Sequence, residues 1–161
     1  MKILFVCDGN TCRSVLASCY ARLRRTELSG KAGVKAGEFP PMYFSSAGLA
    51  VKKGITQPRI VPELLKEEGV RDFGHKPAQL TAEMAGGADL ILVMTAAHKA
   101  GVIGLFPEAA DKTMTLLEYA GFGAGDIADP YGRSDKFYTE IFGIIKTALK
   151  AAIENLKKEV K

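Results

Sequence analysis

A cysteine and an arginine are separated by five residues near the amino terminus of this chain, in the segment Cys7-Asp8-Gly9-Asn10-Thr11-Cys12-Arg13-Ser14. An apolar run at 3–6, typical of a buried strand, precedes the segment, and a predicted helix follows it. A loop that enters a helix directs backbone N–H groups toward a shared centre, where they and the helix dipole attract an anion. Arg13 adds a planar fork for two phosphoryl oxygens, and the same field favours the nucleophilic thiolate of Cys7. The segment therefore predicts phosphoryl transfer through a phosphocysteine.

Two residues inside this segment are suited to a tight loop. Gly9 permits a positive φ, and Asn10 tolerates one better than most residues do. In the simpler alternative, Cys7 is a small buried residue at the end of a strand and Arg13 is an ordinary surface charge. The spacing of the cysteine and the arginine alone does not distinguish these two interpretations. The strand, the Gly-Asn pair and the helix together favour a functional loop.

A second chemical group is expected near the carboxyl end of the chain. A phosphocysteine route requires a proton for the leaving group and then a base for the attacking water, and one carboxyl group can serve both steps in turn. The segment 126–132, Asp-Ile-Ala-Asp-Pro-Tyr-Gly, supplies carboxyl groups in a predicted loop. Pro130 favours an extended Asp129, and Tyr131 offers an aromatic surface beside it. The alternative is an ordinary Asp-Pro turn before a helix.

Apolar runs rich in β-forming residues alternate with stretches of helical periodicity, and these elements must position the two segments. Strands are predicted at 2–7, 43–48, 89–94 and 112–117, and the last of these segments could also be helical. Helices are predicted at 14–28, 58–68, 81–85, 95–105 and 134–161, and loops at 29–41 and 119–133. The last helix is predicted to pack a stripe of apolar side chains against the core, namely Phe137, Ile141, Ile144, Ile145, Leu149, Ile153 and Leu156. The alternation predicts an α/β fold whose parallel sheet is covered by helices on both faces. Ligands bind beyond the carboxyl ends of the strands in such sheets, at the edge where the segment 7–14 lies.

The bulk composition limits the fold and the partners. With 161 residues, 47% of them hydrophobic and 25% charged, the chain is expected to form a single domain over 1–161. The formal charge of +4 is mild, so it indicates solvated helix faces and some attraction for anionic substrates rather than nucleic-acid binding. No apolar run approaches the roughly 18 residues of a membrane span, so no membrane partner is expected.

The three cysteines, Cys7, Cys12 and Cys19, all lie near the amino terminus. An odd number at this spacing is not a disulfide framework, and the chain enters a strand at once, without the pattern of a secretion signal. A cytoplasmic location, where thiols stay reduced, is therefore expected. Cys19 falls on the apolar face of the first predicted helix and is expected to be a core residue.

Five motifs resemble, in order and spacing, those of the low-molecular-weight protein tyrosine phosphatases, and the resemblance covers essentially the whole chain. They are Cys-x-Gly-Asn-x-Cys-Arg-Ser at 7–14, Ser-Ala-Gly at 46–48, the segment around His75, the run 89–94 leading to His98, and Asp-Pro-Tyr at 129–131. The resemblance implies a three-layer α/β domain with a four-stranded, parallel, flavodoxin-like sheet. It also implies that the protein uses no metal and no organic cofactor.

The resemblance assigns roles to the residues of the site. It implies that Cys7 is the nucleophile, that Arg13 binds the phosphoryl group and that Asp129 is the general acid. The rest of the phosphate-binding loop consists of Asp8, Gly9, Asn10, Thr11, Cys12 and Ser14. Ser14 is implied to hydrogen-bond to the thiolate and activate it.

Further residues are expected to support or border the loop. The residues implied to brace it are Asn10, Ser46 and His75, although His75 could also be an ordinary histidine near a helix. Tyr131 is expected at the substrate rim, and His98 is expected to be structural.

Cys12 follows the nucleophile by five residues within the same loop. In the family such a cysteine can form a reversible disulfide with the nucleophile, which protects the nucleophile from further oxidation. The alternative is that Cys12 is a small buried thiol, and both interpretations stay open.

Three residues depart from the pattern of the family. Val15 replaces a proline that the chemistry does not require, and Ala78 replaces an arginine. Asp8 replaces an apolar residue or a threonine at the wall of the site, where a carboxylate would oppose both the thiolate and a phosphoryl dianion. Asp8 could point away from the site, weaken catalysis, or pair with a cationic leaving group such as the guanidinium of phosphoarginine.

Three stretches resemble a bacterial branch of the family that dephosphorylates arginine in proteins. They are residues 115–119, residues 129–134 and the pair Asn10-Thr11. That branch usually has threonine where Asp8 stands, so the departure at Asp8 applies to the branch as well.

The resulting interpretation is a cytoplasmic phosphoprotein phosphatase whose partners are phosphorylated proteins, with phosphate or other oxyanions binding in the loop. Phosphotyrosine is the general substrate class, and phosphoarginine is the alternative. An arsenate reductase would use the same loop but needs further downstream cysteines, and none follows Cys19. A non-catalytic module that keeps Cys7, Arg13 and Asp129 only as a phosphate pocket is the rival from another class.

Overall fold

The computed structural model describes residues 1–29, 41–71 and 73–159, which form a four-stranded parallel sheet with helices on both faces. The strands are β1 (Lys2–Cys7), β2 (Tyr43–Gly48), β3 (Leu90–Val93) and β4 (Thr113–Thr115). Their order across the sheet is β2-β1-β3-β4, and every neighbouring pair is parallel. The predicted α/β fold with four parallel strands is confirmed.

Helices connect the strands in the described part of the chain. They are α1 (Arg13–Ser29), α2 (Ile60–Glu67), α3 (Ala82–Gly87), α4 (Ala96–Leu105), α5 (Leu116–Tyr119) and α6 (Asp135–Glu159), with a 3-10 helix at Pro107–Lys112. The predicted helices agree with α1, α2, α3, α4 and α6 to within two residues at each described end. The predicted loop at 29–41 lies outside the described residues from 30 to 40.

The central strands are buried on both faces, which explains their continuous apolar sequence. Ile3 and Phe5 of β1 pack into a core with α1, α2 and α6, whereas Leu4 and Val6 point to the opposite face and pack with α3 and α4. β3 alternates in the same way, because successive side chains of a strand point to opposite faces. This double burial holds the carboxyl end of β1 rigidly in the middle of the sheet.

The fourth strand is shorter than predicted. The strand prediction at 112–117 is correct for β4, but residues 116 and 117 begin α5. Thr115 caps this helix by accepting a hydrogen bond from the Glu118 backbone N–H, while the Glu118 carboxylate accepts one from the Thr115 backbone N–H. Such a capping box starts a helix even where the residues themselves favour a strand.

The long carboxyl-terminal helix buries an apolar stripe against the sheet, as predicted. Ile141, Ile145 and Leu149 are almost fully buried, one helical turn apart. The prediction is wrong for Ile144, which is 45% exposed. Ile144 precedes Ile145 by one position, a rotation of about 100° around the helix, which takes its side chain off the buried stripe. No helix in the described ranges is long and apolar enough to cross a membrane.

Candidate active site

The segment 7–14 lies at the edge of the sheet where the parallel strands end, as predicted. β1 ends at Cys7, and α1 begins at Arg13, so the loop between them closes onto the amino terminus of a helix of 17 residues. Beside this loop is a cleft of about 280 Å³. It is lined by Cys7, Asp8, Gly9, Thr11, Cys12, Arg13, Ala50, Lys52, Ile55, Asp129 and Tyr131.

A hydrogen-bonded chain of polar side chains reaches the sulfur of Cys7. The Asn10 Nδ2 group donates to Ser14 Oγ over 2.9 Å, and Ser14 Oγ lies 3.0 Å from Cys7 Sγ. Because Ser14 Oγ already accepts from Asn10, its own proton is free to point at the sulfur. This arrangement places a hydroxyl donor where it stabilises a thiolate, and all three side chains are buried.

Hydrogen bonds between Asn10 and the segment 75–78, which includes His75, hold the loop in place. Asn10 has a φ of 52°, its Oδ1 accepts from the Ala78 backbone N–H over 3.0 Å, and its carbonyl lies 2.8 Å from His75 Nε2. Burial lowers the pKa of His75, which favours a neutral ring whose Nε2–H donates to that carbonyl. Of the two residues that could adopt a positive φ in this loop, Asn10 adopts it and Gly9 does not. One left-handed residue suffices for the turn, and asparagine tolerates that conformation.

Gly48 at the end of β2 is a site residue whose role the sequence analysis missed. A Cβ atom on Gly48 would lie 2.4 Å from the Asp8 carbonyl oxygen and 3.0 Å from the Asn10 backbone nitrogen. The chain just after it is tied to the loop by backbone hydrogen bonds from Leu49 to Cys7 and from Ala50 to Asp8, each 2.9 Å long. The sequence signal that could have indicated this role is a glycine at the end of the predicted strand 43–48.

The bracing role implied for Ser46 has no hydrogen bond to support it. Ser46 is half-buried in β2 opposite Phe5, and its hydroxyl has no hydrogen-bond partner among the described residues. The contacts from β2 to the loop come instead from the backbone that follows Gly48.

Arg13 is 3% exposed and carries its guanidinium into the cleft. Its Nη1 donates to the Ile127 carbonyl over 2.9 Å, and its Nη2 lies 3.1 Å from Asp129 Oδ2. Its buried Nε has no hydrogen-bond partner in the described structure. An unpaired donor on a buried cation is costly, so this N–H is suited to an incoming oxyanion.

The structure separates the two carboxyl groups of the segment 126–132. Asp126 Oδ1 accepts from the Ala96 backbone N–H at the start of α4, over 2.8 Å. Asp129 lines the cleft, and its Oδ1 accepts from the Tyr131 backbone N–H over 3.2 Å. Asp129 is therefore the carboxyl group of this loop that lines the cleft, while Asp126 anchors the loop to α4. The role of Asp129 as general acid stays a prediction.

Asp8 does not point away from the site. Its side chain is 60% exposed and lines the cleft, and its Oδ2 lies 3.0 Å from His98 Nε2 and 3.6 Å from Arg13 Nη2. His98 is buried in the first turn of α4, so the histidine expected to be purely structural contacts a residue of the loop. Sequence patterns could not pair positions 8 and 98, because only the parallel packing of β1 and β3 brings them together.

The three cysteines are buried free thiols. Burial raises the pKa of the Cys12 thiol, and its Sγ lies 3.4 Å from the Tyr138 hydroxyl of α6. Cys19 packs into the core, with its Sγ 3.1 Å from Arg22 Nη2, as predicted. A reversible disulfide between Cys7 and Cys12 stays a prediction.

The mouth of the cleft combines apolar and basic groups. Tyr131 is 55% exposed and lies at the predicted rim, and Ile55 and Lys52 also line the cleft. No group of three or more metal-ligating side chains occurs within residues 1–29, 41–71 and 73–159. The cleft thus presents a nucleophilic sulfur, a buried guanidinium and a carboxyl group to one small volume.

Comparison with known proteins links this geometry to one family. The family model described as low molecular weight phosphotyrosine protein phosphatase matches residues 2–161. The chain is 35% identical over 158 residues to a protein-arginine-phosphatase of Geobacillus stearothermophilus, with 98% of this chain and 97% of that protein covered. It is 32% identical over 151 residues to the low molecular weight protein-tyrosine-phosphatase Etp of Escherichia coli K12, with 91% and 88% covered.

A solved structure shows the same similarity in three dimensions. It is a cysteine-to-serine mutant of the arginine phosphatase YwlE with a phosphorylated active-site serine. The two folds superpose with a TM-score of 0.85 at 31% identity, covering 98% of this chain and 97% of that one.

Proposed function

The chain belongs to the low molecular weight phosphotyrosine protein phosphatase family, and from that premise we propose that Cys7, Arg13 and Asp129 hydrolyse phosphorylated protein side chains. The chain is thus a protein phosphatase of the phosphoric monoester hydrolase class. The observation that carries the residue assignment is the meeting of the three side chains in one cleft at the amino terminus of α1.

In the first step the Cys7 thiolate attacks phosphorus. The S–P bond forms while the bond from phosphorus to the leaving oxygen breaks, and Asp129 gives its proton to that oxygen. Arg13 and the start of α1 bind the equatorial phosphoryl oxygens and stabilise the charge on them. The phosphorylated active-site serine in the YwlE mutant supports a covalent intermediate at the nucleophile position.

In the second step water releases the phosphate. The Asp129 carboxylate takes a proton from the water as the oxygen attacks phosphorus, the S–P bond breaks, and Cys7 leaves as a thiolate. Ser14 stabilises that thiolate through the hydrogen bond at 3.0 Å. Inorganic phosphate, the product, and similar oxyanions are expected to bind in the loop and inhibit competitively.

Phosphotyrosine is the proposed general substrate class. The exposed ring of Tyr131 and the side chain of Ile55 flank the mouth of the cleft, where they can pack against a phenyl ring. All three cysteines are free thiols, and a thiolate nucleophile requires a reducing environment, which supports the proposed cytoplasmic location.

Phosphoarginine is the second candidate substrate, and two observations favour it. One similar protein, from Geobacillus stearothermophilus, is named as a protein-arginine-phosphatase. In addition, the Asp8 carboxylate lines the cleft beside the nucleophile, where it can attract a cationic leaving group.

The test is the kcat/KM of the purified protein on phosphotyrosine and phosphoarginine peptides of one sequence. Cys7→Ser is expected to abolish turnover, and Asp129→Asn is expected to lower it roughly 100-fold or more, the contribution of a general acid. Asp111→Asn is the matched control, because this exposed carboxyl group lies in the 3-10 helix and does not line the cleft. Phosphate binding without turnover of either peptide would instead support a non-catalytic phosphate-binding module.

A further inference from the structure

Asp8 is a charged residue of the cleft that the proposed mechanism does not use. It follows the nucleophile directly, and its side chain is 60% exposed at the cleft. A carboxylate at this place repels a phosphoryl dianion and a thiolate alike, so it raises the free energy of the bound state for an ordinary phosphate ester. The contacts that hold Asp8 in place indicate which favourable interaction with a substrate could offset that cost.

His98 and Arg13 both engage the same oxygen of Asp8. Oδ2 lies 3.0 Å from His98 Nε2 and 3.6 Å from Arg13 Nη2, and Oδ1 has no polar partner among the described residues. The carboxylate is thereby held by one oxygen, which leaves the other oxygen of a side chain that lines the cleft available for a further contact. A carboxylate oxygen is a hydrogen-bond acceptor only, so the free oxygen can bind an N–H or O–H donor.

His98 is placed to hold Asp8. It lies in the first turn of α4, where its backbone N–H donates to the Thr95 hydroxyl over 3.1 Å, and it is 4% exposed. Its Nδ1 is buried without a hydrogen-bond partner in the described structure, so the ring's polar contact is the one to Asp8. A buried imidazole with one unpaired nitrogen destabilises the folded protein, and the contact with Asp8 helps to offset that cost.

We propose that Asp8, positioned by His98, is a specificity-determining residue that selects leaving groups with N–H donors, namely phosphorylated guanidinium groups, over phenolic ones. The inference rests on the proposed phosphatase function and identifies a residue that sets its substrate class.

The two leaving groups differ at the atoms next to the bond that breaks. In a phosphoguanidinium the S–P bond forms as the P–N bond breaks, and the nitrogen leaves with the bonding electron pair and takes the Asp129 proton. The neighbouring guanidinium N–H groups then donate to the free Asp8 oxygen in a charge-assisted hydrogen bond. A phenolic oxygen carries no hydrogen and develops negative charge, so Asp8 repels it.

The test compares kcat/KM on phosphoarginine and phosphotyrosine peptides of identical flanking sequence, using the wild type, Asp8→Asn and Asp8→Thr. Both substitutions remove the charge without emptying the position. We expect the ratio of phosphoarginine to phosphotyrosine turnover to fall about tenfold or more, the worth of one hydrogen bond to a charged group. The phosphotyrosine rate itself is expected to rise, because the repulsion is removed.

His98 variants test the positioning role. His98→Leu removes the donor and is expected to lower the same ratio, whereas His98→Gln keeps an N–H donor and is expected to retain more of it. A purely structural histidine would change both rates together and leave the ratio constant. If His98→Leu fails to fold by circular dichroism, the two Asp8 variants and His98→Gln decide the question.

Two results would contradict the inference in distinguishable ways. A phosphatase whose substrate ratio is unchanged or raised in both Asp8 variants overturns the role of Asp8 and leaves the proposed function intact. A wild-type protein that turns over neither peptide overturns the proposed function, and the inference with it.

Discussion

At the scale of single residues, the sulfur of Cys7 lies at one end of a network of side chains that hydrogen-bond to one another. Asn10 donates to Ser14, Ser14 contacts the sulfur, and His75 contacts the Asn10 carbonyl. Each partner is buried or half-buried, where a hydrogen bond is stronger than in water and a lost partner is costly. Single substitutions along this chain should therefore affect activity and stability measurably.

Ser14→Ala is expected to lower kcat about tenfold, because the thiolate loses one hydrogen bond worth ~1.4 kcal/mol. Steady-state kinetics and the rate of iodoacetamide alkylation of Cys7 at fixed pH would measure the change. Ser18→Ala is the matched control, since Ser18 lies in the same helix and donates to the Val15 carbonyl instead. Equal rates in wild type and Ser14→Ala would show that the contact does not activate the sulfur.

His75 is expected to make stability depend on pH. Its pKa is lowered in the folded protein by burial, so below the ordinary value of about 6.5 the unfolded chain binds the extra proton first. Stability contributed by the neutral ring is therefore present above that value and lost as pH falls through the window below it. Urea unfolding at pH 7.5 and 5.5 would measure this loss. Between the two pH values, the free energy of unfolding should fall less in His75→Gln than in the wild type.

A substitution at the exposed neighbouring lysine, Lys76→Gln, serves as the control for His75. It should leave the difference between the two pH values as in the wild type. If His75→Gln and the wild type lose the same free energy of unfolding on acidification, the ring is not held neutral by its burial.

At the scale of elements, the site is assembled where β1, β2 and α1 meet and where α4 begins. Gly48 lets the end of β2 approach the loop, and His98 and Ala96 tie α4 to Asp8 and Asp126. These contacts couple the loop and the carboxyl-terminal segment to one rigid sheet edge. The positions of Cys7 and Asp129, the proposed nucleophile and acid, thus depend on element ends that are far from each other in sequence.

Gly48→Ala is expected to destabilise the protein by about 1–3 kcal/mol, since its Cβ would overlap backbone atoms that cannot rotate away. Activity should fall as well, because the overlap lies against Asp8 and Asn10 of the loop. Urea unfolding and steady-state kinetics would measure both effects.

Gly143→Ala in α6 is the matched control, because a Cβ added at Gly143 would meet no atom of the described residues within 4 Å beyond its own stretch of helix. It should leave activity unchanged and raise stability by ~0.5–1 kcal/mol through helix propensity. Comparable losses in both variants would mean that the close approach at Gly48 has no special role.

At the scale of the whole molecule, folding and anion binding are linked. The buried Arg13 has an N–H without a partner in the described structure, and the loop closes onto the start of α1. We therefore expect an oxyanion to bind the folded chain and not the unfolded one. The formal charge of +4 also favours anion binding, although salt screens this attraction.

Inorganic phosphate is expected to raise the melting temperature of the Cys7→Ser protein by about 5–10 °C at 100 times its Kd, from ~2.7 kcal/mol of linked binding. Differential scanning calorimetry against chloride at equal ionic strength would measure the shift. Arg13→Lys should reduce it, because an ammonium does not bind two oxygens as a fork. A shift of equal size in chloride would point to general ionic strength instead.

By itself the sequence determined the parallel α/β fold and the positions of most elements, and it led to the proposal of Cys7, Arg13 and Asp129 as the chemical groups. These features are local: the loop motif, the apolar runs and the periodicity of the helices each depend on neighbouring residues. The errors at this level, at Ile144 and the end of β4, were also local: Ile144 lies one position from the buried stripe, and a capping box begins a helix at the end of β4.

Only the tertiary structure decided which residues meet across the sheet edge. The contact of Asp8 with His98, the approach of Gly48 to the loop and the separation of Asp126 from Asp129 depend on distances between elements. Such distances follow from how β1, β2, β3 and α4 pack, because one strand order brings distant positions within hydrogen-bond reach. The local motifs and periodicity of a single sequence do not give these distances, which are set by the packing of the folded chain.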